Sequence, residues 1–121
     1  MQRTAPRTVT ILREVNKTIP AGPGGAITLQ PRVACQGFTK LKGRLVADTG
    51  TTPTAGYPRV LQWGDDSDIP VITVLSQDAS YTNADHYPID VDLDMPYVAI
   101  EYQEAGAGGT MQYAQAELRG A

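Results

Sequence analysis

Hydrophobic and polar residues alternate with a period of two along much of this chain, and glycine and proline separate the alternating runs. Successive side chains of a β-strand point to opposite faces of a sheet, so this alternation is typical of half-buried strands. No window shows the apolar pattern of an amphipathic helix. The predicted strands are Thr8–Val15, Ile27–Val33, Phe38–Ala47, Arg59–Trp63, Ile69–Leu75, Ile89–Asp94, Pro96–Gln103 and Thr110–Arg119.

The predicted strands are short and are joined by polar turns, which indicates an all-β protein. Eight antiparallel strands suit a two-sheet β-sandwich that is jelly-roll-like. Ile69–Leu75 is apolar and β-branched, so we predict a central strand there, whereas Pro31 predicts an edge or a bulge. Asp48–Pro58 and Ser76–Tyr87 are predicted to be polar loops long enough to make contacts.

The chain has 121 residues, the length of one domain. Residues 1–7 are polar, basic and without periodicity, so we predict an extended N-terminal arm followed by a single β-sandwich domain over residues 8–121. The arm has little apolar surface, so we expect it to become ordered only through contact with another chain. No apolar run follows Met1 and none is long enough to cross a membrane, so we expect synthesis in a reducing cytoplasm and no membrane role.

Charge is distributed unevenly along the chain, although the net charge is only −3. Residues 1–59 contain nine of the ten Lys and Arg residues, and residues 60–121 contain eleven of the thirteen Asp and Glu residues. Two interpretations are open: the halves interleave within one fold, or a polar subunit docks against its neighbours. The acidic balance and the few aromatic residues argue against a direct nucleic-acid role.

Two predicted strands carry opposite charges on alternate residues, a basic stripe and an acidic stripe. Like charges in a row repel, so each stripe requires water or a partner of opposite charge. The simplest partner for one stripe is the other, in the same subunit or in a neighbour, so we predict that both stripes and two arm residues lie at subunit interfaces. These residues are Arg3 and Arg7 of the arm, Lys40, Lys42 and Arg44 of the basic stripe, and Asp90, Asp92 and Asp94 of the acidic stripe.

Residues that could support catalysis are few. His86 is the only histidine, and although it follows Asp85, adjacent strand residues point to opposite faces. No serine lies in a Gly-x-Ser-x-Gly turn, and the glycines of residues 106–109 precede a strand, so they indicate a hairpin turn and not a phosphate site. A jelly-roll metal enzyme of the cupin type would need several histidines. We therefore predict a non-enzymatic protein without a cofactor.

Two further kinds of site depend on short clusters. Asp65, Asp66 and Asp68 form the kind of oxygen cluster that binds calcium, but aspartate also favours turns and no complete calcium loop follows, so we predict no metal site. Cys35 has no second cysteine to pair with and is expected to be a small buried residue. The aromatic residues that could stack on a sugar are Trp63, Tyr57, Tyr81 and Tyr87.

Burial in the core is the favoured interpretation for Trp63, because Leu61 shares its face of the strand.

Several other segments follow a recognisable order. Met95–Tyr102 is a strand containing Pro-Tyr-Val, Ala105–Gly109 is a turn rich in glycine and alanine, and Met111–Gly120 is a last strand with Leu-Arg near its end. This order resembles the end of many small virion proteins of tailed phages. Upstream, Leu41–Asp48, and Val60–Trp63 before an acidic turn, resemble the middle of such chains.

The resemblance implies a virion structural protein: a head decoration or cement protein, a minor capsid protein or a tail-associated module. We expect a capsid decoration protein that contacts the major capsid protein or other virion proteins and forms a homo-oligomer, with a trimer as the expected state. Its location would be the virion, after synthesis in the host cytoplasm. The alternative is a carbohydrate-binding module that uses Trp63 and the loop tyrosines.

Overall fold

The computed structural model describes residues 7–19, 26–48, 57–64, 69–78, 85–103 and 109–120. These residues form eight β-strands and no helix. The strands are β1 (Thr8–Ile19), β2 (Ala26–Ala34), β3 (Lys40–Asp48), β4 (Tyr57–Trp63), β5 (Val71–Val74), β6 (Asp85–Asp92), β7 (Tyr97–Gln103) and β8 (Gly109–Arg119). Each strand expected from the alternation overlaps one of these, so the all-β class is confirmed.

The strands form two antiparallel four-stranded sheets around one core. Sheet A has the order β1-β8-β3-β6, and sheet B has the order β2-β7-β4-β5. The first strand pairs with the last, the second with the seventh, the third with the sixth and the fourth with the fifth. The chain is therefore a long hairpin folded over into a sandwich, which is the jelly-roll arrangement. The predicted jelly-roll-like β-sandwich is confirmed.

The core lies between the sheets because the apolar positions of the alternating strands face each other there. Leu41 and Leu45 of β3 are fully buried, whereas the charged residues between and beside them lie on the outer face. Burying one such side chain stabilises the fold by about 1.5–3 kcal/mol. The main core includes Leu41, Leu45, Val60, Val98, Ile100, Tyr102, Met111, Ala114, Ala116 and Leu118.

Strand β3 lies between β6 and β8 and approaches β8 closely at Gly43. A Cβ atom at Gly43 would lie 2.0 Å from the carbonyl oxygen of Gln115 and 2.8 Å from the Cα of Ala116. Backbone atoms cannot move aside as a flexible side chain can. The centre of sheet A therefore requires a residue without a side chain at this position.

Strand β2 is an edge strand of sheet B, and its pairing with β7 is irregular. The register shifts between Thr28 and Gln30 and again between Gln30 and Val33, around Pro31. Proline cannot donate a backbone hydrogen bond, so it is confined to edges and bulges. The prediction for Pro31 is confirmed on both counts.

Strand β5 corrects the expectation for Ile69–Leu75. This segment was expected to be a central strand, but β5 is an edge strand of sheet B and covers only Val71–Val74, all of whose residues are exposed. β-branched residues fit a pleated backbone equally well in a central strand and in an edge strand, so this composition predicts a strand but not its place in the sheet. Composition alone does not reveal how many neighbours a strand has.

Strand β6 starts earlier than expected. It begins at Asp85, within the segment predicted to be a loop up to Tyr87, and ends at Asp92. Tyr87 pairs with Leu45 of β3 and lies in the main core. The clustered polar residues before Tyr87 concealed the alternation of its own strand.

Candidate interaction surfaces

Four of the six large exposed apolar side chains in the described part of the chain lie in or beside β5, and the other two, Val9 and Val15, lie on β1. Ile69 is 83% exposed, Val74 57%, Val71 53% and Ile72 49%. We call these four residues the β5 edge patch. Contiguous exposed apolar surface on an edge strand is a typical site of protein–protein contact or aggregation. The run Val-Ile-Thr-Val is visible in the sequence, but an apolar run of this kind also predicts a buried central strand.

The basic and acidic stripes lie next to each other in the same subunit, on the outer face of sheet A. In the β3–β6 ladder, Lys40 is opposite Asp92 and Lys42 is opposite Asp90. Lys40 Nζ lies 3.0 Å from Asp90 Oδ1 and 2.9 Å from Asp92 Oδ1, and Lys42 Nζ lies 3.1 Å from Asp90 Oδ2. Their charges are thus balanced without a second subunit, and a role of these residues at a subunit interface stays a prediction.

The ion pairs shift the pKa values of the residues involved. Hydrogen bonds to Asp92 and Asp90, with the charges of both carboxylates, raise the pKa of Lys40 above its ordinary value of 10.5. Hydrogen bonds from Lys40 and Lys42 lower the pKa of Asp90 below its ordinary value of 3.8. Both shifts favour the charged forms, so the pairing persists across the physiological pH range.

The last member of each stripe has a different environment. Arg44 is opposite Pro88, and its guanidinium group lies 4.7 Å from the ring centre of Tyr113 on β8. Asp94 lies beyond the end of β6, where its backbone N–H donates a 3.0 Å hydrogen bond to Gln62 Oε1. The charged ladder therefore consists of Lys40, Lys42 and the aspartates opposite them.

The uneven charge of the chain is explained by the strand order. Every neighbouring pair in both sheets joins one of the first four strands with one of the last four. Strands β1–β3 lie in the basic half, β4 crosses its end, and β5–β8 lie in the acidic half. The pairing includes Arg59 of β4 and Glu101 of β7, whose Nη2 and Oε1 atoms lie 2.8 Å apart. The structure thus shows the interleaving of the two halves within one fold.

The N-terminal arm is described only at Arg7, and Arg3 lies outside the described residues. The carbonyl oxygen of Arg7 accepts a 2.8 Å hydrogen bond from the backbone N–H of Gly120. The Arg7 guanidinium lies 4.4 Å from the ring centre of Phe38. At Arg7 the expectation that the arm orders only on another chain is wrong, because its own domain supplies a polar and an aromatic partner.

The described aromatic candidates for sugar binding do not form one exposed site: Tyr57 and Trp63 lie on the outer face of sheet B, whereas Tyr87 lies in the core. Tyr87 is 4% exposed and points into the core, so the prediction that it lines a ligand site is wrong. Trp63 is 8% exposed, and the guanidinium of Arg32 lies 4.0 Å from its ring centre. Tyr57 is half-buried at the start of β4, and Tyr81 lies outside the described residues. A sugar ring would have to displace Arg32 from Trp63 to stack there.

Trp63 is buried as expected, but not in the main core. It clusters with Leu61 and Ala99, and with the half-buried Tyr97, on the outer side of sheet B. The indole Nε1 is buried and lacks a hydrogen-bond acceptor among the described residues. The sequence showed that Leu61 and Trp63 share a face, but not that this face is the outer one.

Gln62 has a structural role that the alternation of apolar and polar residues does not predict. Its side chain donates from Nε2 to the carbonyl oxygen of Asp92 at 3.1 Å and accepts from the backbone N–H of Asp94 at 3.0 Å. These two bonds tie β4 of sheet B to the end of β6 in sheet A. A glutamine between two apolar residues in a strand, Leu61 and Trp63, is the only signal the sequence offered.

Cys35 is buried, and its Sγ donates to the carbonyl oxygen of Met95 at 3.1 Å. Burial raises the pKa of the thiol. Cys35 lines one end of an open groove of about 310 Å³, with Phe38 and Leu93 among the other lining residues. The burial expected of Cys35 is confirmed.

His86 is buried on the outer side of sheet A, beside Asp78. His86 Nδ1 lies 3.7 Å from Asp78 Oδ2, and the His86 carbonyl oxygen accepts a 2.7 Å hydrogen bond from the Asp78 N–H. No three metal-ligating side chains come together among the described residues. The calcium candidates Asp65, Asp66 and Asp68 fall outside those residues.

No helix within the described ranges is long and apolar enough to span a membrane.

No protein-family model matches the chain, and searches of curated proteins and of solved structures found no significant match. The interpretation of its function therefore depends on its own residues and surfaces.

Proposed function

We propose that this chain is a non-enzymatic virion structural protein, most specifically a capsid decoration protein that assembles through subunit–subunit contacts. The observation that carries the proposal is the β5 edge patch. Left open to water, an apolar edge strand is a template for uncontrolled pairing, and proteins normally protect such edges. A neighbouring subunit that covers β5 accounts for its exposure in the isolated chain.

The architecture supports the same role by analogy. Jelly rolls with two four-stranded sheets are common in viral capsid proteins, and also in lectins. A fold by itself does not define a function, so the analogy adds to the surface argument and does not replace it. The segments that resemble phage virion proteins, Met95–Tyr102 and Met111–Gly120, correspond to β7 and β8.

Avidity explains how small contacts give a stable assembly. A decoration protein contacts the major capsid protein, or other virion proteins, at many repeated positions. Each contact needs little affinity, because copies fixed in one geometry bind together with a high effective concentration. The β5 edge patch is the first contact of this kind, and the outer face of sheet A offers a charged second one.

The test is to tag the chain at its C-terminus in the cells that produce it, and to ask whether it co-sediments with a particle. The expected result is co-sedimentation that is lost in an Ile72→Lys/Val74→Lys double variant. Val15→Lys is the matched control, because Val15 is an exposed valine on an edge strand of the other sheet. A folded chain that never co-sediments with a particle would overturn the virion role.

A further inference from the structure

The four edge strands of the sandwich are not equally protected. Strand β1 has a bulge between Thr10 and Leu12, β2 contains Pro31 with its register shifts, and β6 contains Pro88 and a row of aspartates. Bulges, prolines and charges are the devices that prevent edge-to-edge pairing. Strand β5 has none of these three, and its short length of four residues is the only such protection it has, so it is the edge in the described part of the chain most open to another strand.

The backbone of β5 is oriented for such pairing. On the side that faces β4, the Leu75 N–H donates a 3.1 Å hydrogen bond to the Pro58 carbonyl oxygen. Hydrogen-bonded and non-hydrogen-bonded residue pairs alternate along an antiparallel ladder. Thr73 is two residues from Leu75, so its N–H and C=O groups also point toward β4. The N–H and C=O groups of Ile72 and Val74 therefore point away from the sheet.

Both faces of β5 are apolar, which restricts what can pair with it. Ile72 is opposite Leu61 on the outer side of sheet B, and Val71 and Thr73 lie on the other side, yet all are exposed. A strand that covers β5 must therefore tolerate apolar neighbours on both faces. Among the described edge strands of this chain, β5 alone contains no charged residue, so a second β5 fits this requirement best.

We propose that β5 pairs with β5 of a second copy across a two-fold axis, antiparallel and centred on Thr73. Residues directly opposite in an antiparallel pair have side chains on the same face of the sheet. The two-fold axis must therefore place one residue opposite its own copy, because neighbouring residues of a strand point to opposite faces. Centring on Thr73 places Ile72 opposite Val74 of the partner subunit, and these two residues exchange both backbone hydrogen bonds. Centring on Ile72 would instead place Val74 opposite the partner's Pro70, which has no N–H to donate.

The pairing joins the two copies of sheet B into one continuous sheet. It deepens the proposed function, because it names the partner of the β5 edge patch on the premise that the patch is an assembly contact. The two-fold contact differs from the trimer expected from the sequence. Strand β5 has only four residues, and interfaces below about 1,200 Å² are typical of weak encounters, so we expect the isolated dimer to be weak and to become stable when many copies assemble.

Disulfide trapping tests the register of the pair. Thr73→Cys places a thiol on the axis, opposite its own copy at the close spacing of a non-hydrogen-bonded pair, where a disulfide can form. We expect Thr73→Cys to cross-link at least about tenfold faster than Ile72→Cys under mild oxidation, because only the former has its copy within disulfide reach. The native thiol of Cys35 is buried and does not interfere. Equal rates, or faster cross-linking of Ile72→Cys, would overturn the register.

Sedimentation velocity over a range of protein concentrations tests the dimer itself. The wild-type chain should associate reversibly, and Val74→Pro should not, since this change removes only an outward-facing donor at an edge where proline is tolerated. Val15→Lys should associate like the wild type. A wild-type chain that stays monomeric at all concentrations, and whose Thr73→Cys variant gives no cross-link in the assembled state either, would overturn the pairing.

The two proposals fail in different ways. A chain that dimerises through β5 but is absent from particles retains the pairing and loses the virion role. A chain that enters particles through β5 but remains monomeric alone, with no cross-link at Thr73→Cys within the particle, retains the virion role and loses the pairing.

Discussion

At the scale of single residues, Trp63 shows how burial and position in the fold are separate questions. Its face of β4 was identified from the alternation with Leu61, which is enough to expect burial. The second cluster that buries it, and the Arg32 that lies over its ring, come from distant parts of the chain. Alternation says which residues share a face, but not which other strand or side chain will cover it.

Replacing Trp63 with alanine should lower the free energy of unfolding by about 3 kcal/mol, because a large buried ring is lost and a cavity remains. Trp63→Phe is the matched control. It retains a ring beneath Arg32 and removes an indole N–H that has no acceptor among the described residues, so it should cost far less. Urea unfolding of the two variants measures both values. Unchanged stability of Trp63→Ala, combined with specific glycan binding by the wild type, would favour the carbohydrate-binding alternative.

The charged ladder makes the stability of the protein depend on pH. The pKa of Asp90 is lowered in the folded chain, so its contribution is fully present above its ordinary value of 3.8 and is lost as the pH falls through the folded value. Asp90→Asn should therefore lower the melting temperature at pH 7, and the difference should disappear in strong acid.

The control for this comparison is Asp94→Asn, since Asp94 lies beyond β6 and outside the charged ladder. Its melting temperature should match that of the wild type at both pH values. If Asp90→Asn and Asp94→Asn behave alike at neutral pH, the ladder adds nothing beyond the general charge of the surface.

At the scale of strands, Gly43 sets the spacing between β3 and β8. Gly43→Ala would force a methyl group against the Gln115 carbonyl, so we expect a loss of at least about 1–3 kcal/mol, as in overpacked cores. Gly64→Ala is the control, because no atom lies within 4 Å of a Cβ at Gly64. Thermal unfolding followed by circular dichroism distinguishes the two. Equal stability of both variants would mean that sheet A can open to admit a side chain.

The strands themselves were predictable from the sequence, whereas their neighbours were not. Period-two alternation located most of them, since the pleat imposes it wherever one face is buried, and the apolar, β-branched run Ile69–Leu75 located β5. Ile69–Leu75 was misplaced because an apolar, β-branched run fits a central strand and an open edge equally well. The place of a strand within its sheet depends on pairing between residues that are far apart in the chain, and the local sequence pattern does not predict this pairing.

At the scale of the whole molecule, the jelly roll gives the uneven charge of the chain a structural reason. Folding a long hairpin over itself places each strand of the basic half beside strands of the acidic half. The stripes could be predicted to need partners, but their register, with Lys40 opposite Asp92, could not. Because Lys40 and Lys42 are paired with aspartates of the same subunit, the apolar β5 edge patch is the stronger candidate for an assembly contact in the described chain.

Hydrogen exchange at β5 tests most directly whether this edge is covered in an assembly. The amides of Ile72 and Val74, which face away from β4, are compared in the dilute chain and in the assembled state. The Leu75 amide, bonded to Pro58, is the internal reference. We expect Ile72 and Val74 to exchange rapidly in the dilute chain and to become strongly protected on assembly, with Leu75 changing little. Equally rapid exchange of Ile72 and Val74 in both states would contradict the central claim that β5 is an assembly contact.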